Sequence, residues 1–189
     1  MSDRKHELID EEDARWAELV AVLDAAPRER LLEPGLTDDW SGKDLLAHLG
    51  CWMAEAANVL ECIRLGTWEA TKLDIDEINA GFYEAMKDQS LRDVWAEMES
   101  ARTRMFQEWG ALHEVTHDAE EWFVESGPAH IAEHLRGVDM VCKLRCQYRQ
   151  LLCDFVQVPV RKPCFFSACL EERAVQGSEQ PTLDLGTIT

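Results

Sequence analysis

From Arg4 to Phe155 apolar residues return every three or four positions, the spacing that lines one face of an α-helix, and no stretch sustains the two-residue alternation of a strand. Leu8, Ile9, Trp16, Leu19, Val20 and Leu23 give a first helix from about Arg4 to Ala25, with acids crowding its other side. Pro27, Pro34 and Gly35 mark a connecting loop. Ser41 with Asp44 three residues on reads as an N-cap and capping box, opening a second helix whose stripe is Leu45, Leu49, Trp52, Ala56, Leu60 and Ile63. Gly66 falls where a left-handed C-cap belongs.

Asp74 to Lys87 reads as a short extra helix, interrupted at Asp88-Gln89-Ser90. Ser90 with Asp93 starts a third long helix through Trp95, Met98, Met105, Trp109 and Leu112. From His113 to Gly127 the periodicity weakens and the expectation is a poorly ordered segment. Ser126-Gly127-Pro128 restarts a helix with proline in its first turn, running to about Phe155 with His130, His134, Val138 and Val141 on the inner stripe. Beyond Val158 the pattern dissolves among Pro159, Pro163, Gly177, Pro181 and Gly186. The fold class is therefore all-α, with one helical domain over 1–157 and an irregular C-terminal tail over 158–189.

A chain of 189 residues suits one such domain. A formal net charge of -18 supplies no electrostatic attraction for a phosphate backbone, which argues against nucleic acid as a partner. No apolar run approaches the length of a membrane span, and the charged start Met1-Ser2-Asp3-Arg4-Lys5-His6 shows no secretory signal, so the expected location is the cytoplasm. Seven cysteines without a CxxC pair read as reduced thiols, with Cys142 and Cys146 as small buried side chains.

Histidine carries the chemistry. His48 borders the apolar face of the second helix, and His130 and His134 stand at i and i+4, where both rings project from one face of the last helix. Three neutral imidazoles can hold a metal ion with a coordination position left open, the arrangement of a reactive site. The same spacing also suits hydrogen-bonded core histidines, and a second i, i+4 pair, His113 and His117, reads as surface. Asn79 and Tyr83 share a face of the short helix and are candidates for substrate binding at a pocket mouth. Glu55, seven residues from His48 on a similar face, is a candidate base or imidazole partner. Glu133 points away from the site. Trp40, Trp52, Trp95 and Trp109 read as core and pocket walls, with Trp52 placed to meet substrate.

Three motifs in order carry a resemblance: Trp40-Ser41-Gly42-Lys43-Asp44-Leu45-Leu46-Ala47-His48-Leu49, Asp74-Ile75-Asp76-Glu77-Ile78-Asn79-Ala80, and His130-Ile131-Ala132-Glu133-His134-Leu135. Together they resemble the DinB-like superfamily, in particular the branch of mycothiol-dependent maleylpyruvate isomerases and colibactin self-resistance proteins. The resemblance implies a four-helix bundle with a short extra helix, a divalent ion such as zinc or nickel on His48, His130 and His134, and a homodimer. It further implies an enzyme that activates a low-molecular-weight thiol or water for attack on a small electrophile, as a thiol transferase, isomerase or hydrolase. The isomerases carry glutamate where this chain has His130, so the all-histidine set is closer to the general superfamily pattern. Similarity to the resistance proteins implies a different role, binding or hydrolysing a reactive natural product; a non-catalytic ligand-binding bundle is the plainer reading.

Overall fold

The computed structural model describes residues 3–35 and 40–135, and among these the chain is helical with no strand. In order come α1 (Asp3–Ala25), a 3-10 turn (Arg28–Leu32), α2 (Gly42–Leu65), α3 (Ile75–Met86), α4 (Leu91–Ala111), α5 (His117–Ser126) and helical residues 128–135, here α6. The expected residues 136–157 of the last helix, with Val138, Val141, Cys142 and Cys146, and the tail over 158–189 lie outside the described residues. No described helix is long and apolar enough to cross a membrane.

The punctuation of the chain follows side-chain chemistry. Ser41 and Asp44 form a reciprocal capping box, while Asp74, Ser90 and Thr116 each accept a backbone N–H in the first turn of α3, α4 and α5. Gly66 closes α2 in the left-handed conformation. Ile131 N–H donates to the Gly127 carbonyl at 3.0 Å, which makes Pro128 the first residue of α6, where its missing N–H costs nothing.

Within α2, residues Leu45 to Gly50 are all buried, so this part of the helix is enclosed on every side. It packs chiefly along α4, and a Cβ on Gly50 would lie 3.0 Å from Met98 Cα, a contact that lets the two backbones approach. Gly50 beside Met98, Glu61 beside Arg104 (3.1 Å) and Arg64 beside Glu108 (2.8 Å) show that α2 and α4 run parallel. A parallel pair cannot be joined by a tight turn, and the crossover carries α3. Against α4, α1 runs antiparallel: Lys5 meets its end, Glu12 meets Arg102, and Trp16 lies 6.5 Å from Trp95.

Two features depart from the sequence reading. Glu12, an acid standing on the apolar stripe four residues from both Leu8 and Trp16, is fully buried, and both its oxygens accept from Arg102 Nε at 2.9 Å while that guanidinium stacks over Trp16 and Phe106. Burial pushes the Glu12 carboxyl up against the opposing pull of Arg102. The segment after His113 is also better formed than its periodicity suggested, since α5 buries Ala119 and Phe123, and Phe123 stacks on Trp109 at 4.4 Å. His113 and His117 are exposed, as expected of a surface pair.

These contacts give a graded prediction for denaturant unfolding. Phe123→Ala, which empties a stacked core position, is expected to lower stability by about 3–5 kcal/mol. Gly50→Ala, which pushes α2 off α4, is expected to lose about 1–3 kcal/mol through overpacking. Glycine at position 50 serving only flexibility would give the opposite sign for the alanine variant, because alanine is the better helix former.

Candidate metal centre

The site is assembled at the N-terminal half of α2. Its enclosure there holds His48 only 7% exposed. The break at Gly127 then sets the direction of α6. A Cβ at Gly127 would fall 2.8 Å from the Phe123 carbonyl, so only glycine lets α5 turn into α6 this tightly. His130 and His134 follow within two turns and face His48.

The three Nε2 atoms converge. His48 Nε2 lies 3.0 Å from His130 Nε2, and His134 Nε2 lies 3.1 Å from the same atom. One ligand nitrogen from each ring falls within 4.8 Å of the others, so these residues can hold a metal ion. Nitrogens bound at about 2.0–2.1 Å to a tetrahedral ion stand about 3.3 Å apart, close to the two separations from His130 Nε2. Hydrogen bonding alone fits less well. In a neutral ring Nε2 is either a donor or an acceptor, and His130 Nε2 faces two partners with one hydrogen or one lone pair to share. A cation at the centre would satisfy all three lone pairs, so the donor set fits a metal ion.

Electrostatics agree with neutral rings. Burial, with a smaller contribution from His134, lowers the His48 pKa to about 4, and burial with His48 and His134 lowers that of His130 to about 3. Burial also lowers His134, opposed by Glu133. Neutral imidazole is the ligating form. The Nδ1 atoms of His48 and His130 are buried with no hydrogen-bond partner among the described residues.

Aromatic rings wall the cluster. Trp40 meets His48 edge-on at 4.9 Å, and Trp52 lies 6.4 Å from His130. A narrow cleft leads from His48 between α2 and α3, lined by Trp40, Asn79, Phe82, Tyr83 and Met86 among others. Trp52 Nε1 donates to Asn79 Oδ1 at 2.9 Å and Trp52 meets the Phe82 edge at 5.4 Å, which fixes α3 over the site although no residue of α3 is itself buried. Asn79 and Tyr83 thus line the cleft, as the sequence suggested, and Trp52 joins them through Asn79. Phe82 and Met86 were not singled out, although positions three and seven beyond Asn79 share its helical face. Glu55 is placed apart: its Oε2 accepts from Asn58 at 3.3 Å, and neither orphaned Nδ1 finds it. Seven residues of helix carry it about 10 Å along the axis from His48, so a shared face does not bring it to the same height.

A scan against protein-family models and searches of curated proteins and solved structures found no match.

The lowered histidine pKa values have a thermodynamic sign. Below pH 6.5 the unfolded chain protonates both His48 and His130, while the folded chain binds neither proton until about pH 4 and pH 3. The unfolded state therefore takes up more protons, and metal-free protein should lose stability as pH falls from 6.5 towards 4. The slope should approach about 1.4 kcal/mol per pH unit for each histidine. Urea unfolding of metal-free wild type and His48→Asn/His130→Asn between pH 7 and pH 5 checks this, and equal slopes in the two proteins would refute it.

Proposed function

We propose that this chain is a DinB-like metalloenzyme of four-helix-bundle form, built on α1, α2, α4 and α6. It would use a divalent ion, zinc or nickel, on His48, His130 and His134 to direct a low-molecular-weight thiol or water at a small electrophile. The observation that carries the reading is the convergence of three Nε2 atoms, one from a buried and two from half-buried histidines, drawn from two helices distant in sequence. When bound, such an ion lowers the pKa of a coordinated thiol or water, so that the nucleophile forms near neutral pH.

The protein's own residues supply the surroundings. His48, His130 and His134 are kept neutral by burial, which leaves their lone pairs available to a cation. Trp40 and Trp52 limit water around the cluster, and the cleft under α3 gives a small molecule its approach. Asn79 offers an amide on that path, already held by the Trp52 indole, and Tyr83 offers a phenol at the exposed end. Apolar walls with a few polar groups suit an unsaturated or aromatic electrophile better than a sugar or a polyanion.

The discriminating experiment is elemental analysis of untagged protein, followed by assays of thiols with electrophiles. Wild type should retain close to one first-row metal ion per chain; His48→Ala and His130→Ala should each lose it and the activity together. Asn79→Ala should keep the metal and weaken turnover by roughly tenfold or more, since the group acts on substrate. Wild type that takes up no zinc or nickel on addition would overturn the metalloenzyme reading.

A further inference from the structure

At the opposite end of α1 from Lys5, the structure forms a second cavity that the histidine site does not touch. The groove has a volume of about 350 Å³ and lies where the end of α1 and the 3-10 turn meet the first turn of α4. That size falls within the range of small-molecule pockets. Its apolar lining comes from Leu23, Leu31, Leu91 and Trp95, and Arg28 and Arg92 line it as well.

The two arginines distinguish this groove from an ordinary apolar dent. Arg4, Arg15, Arg30, Arg64, Arg102 and Arg104 each pair with a carboxylate, as expected in a chain with 37 acidic residues. Arg28 and Arg92 are the two described arginines whose guanidinium groups form no ion pair or hydrogen bond, and both line this one groove. Asp24 contributes one opposing charge, which leaves the lining cationic by one.

We infer that this groove is a binding site for a small amphipathic carboxylate, with its apolar body against Leu23, Leu31, Leu91 and Trp95 and its carboxylate at Arg28 and Arg92. Guanidinium groups match the planar carboxylate geometry, and an acid with an apolar body satisfies both parts of the lining at once. A nucleic acid or polyphosphate would meet the same two arginines but would be repelled by the surrounding -18 chain. The inference does not depend on the metal reading, because the groove and the histidines share no residue.

Octanoate is a suitable probe, with 1-octanol as its uncharged counterpart and isothermal titration of the full chain as the measurement. Octanoate should bind saturably in the submillimolar to millimolar range. Octanol should bind roughly tenfold more weakly, and Arg28→Ala/Arg92→Ala should weaken octanoate by a similar factor or more while keeping the wild-type melting temperature. Leu31→Trp, which fills the groove and leaves both arginines in place, should abolish binding. No saturable binding at millimolar octanoate, equal binding of acid and alcohol, or unchanged affinity in the double arginine variant would each overturn the assignment.

Discussion

The approach of α2 to α4 at Gly50 and Met98 governs the rest of the molecule. With no side chain at position 50 the two backbones come close enough for Leu45, Leu46, Leu49 and Met53 to be fully buried. Because the pair is parallel, the chain must travel back along the bundle before α4 can begin, and that return is where α3 sits. One close contact therefore determines both the burial of His48 and the presence of a helix across the cleft that leads to it. The site is a by-product of enclosing α2 on every side.

Polar contacts then orient α1. Lys5 Nζ donates to the carbonyls of Gly110 and Leu112, at 3.2 and 2.5 Å, which places a cation on the unpaired carbonyls at the end of α4. The Trp109 indole donates back to the Lys5 carbonyl at 3.3 Å. At mid-helix the Glu12–Arg102 pair replaces what would otherwise be an apolar contact. Such buried ions are expensive to separate and add little net stability over a hydrophobic pair, so their effect is to select one register of α1 against α4. Apolar side chains alone could slide by a turn; a lysine seated on a helix end and a two-oxygen carboxylate on an arginine cannot.

The sequence made the helix boundaries legible because caps are local: Ser41, Asp74, Ser90, Gly66 and Pro128 act within one turn of themselves. The candidate ligands were legible for a related reason, since spacing gives the face a residue occupies. Height along the axis and the packing partner are not local, and there the reading failed. Glu55 shares a face with His48 yet sits two turns away. Glu12 lies by pattern on the apolar stripe, four residues from both Leu8 and Trp16, but nothing local identifies its partner Arg102, ninety positions later. In α5 the apolar residues are Ala119 and the consecutive Trp122, Phe123 and Val124, a run that defines no helical stripe within ten residues, while the stacking of Phe123 on Trp109 is at 4.4 Å.

The same distinction explains how the histidines are held. Metal-binding imidazoles are usually oriented by a carboxylate or carbonyl on the second ring nitrogen, which also makes the ring a stronger donor. Among the described residues the Nδ1 atoms of His48 and His130 have no such partner. Their rings are positioned instead by shape, by the Trp40 edge on His48 and by Trp52 near His130. On the proposed metal reading, rings oriented by packing rather than by anions would donate less charge to an ion held by His48, His130 and His134, and would leave it a stronger acid towards whatever it binds.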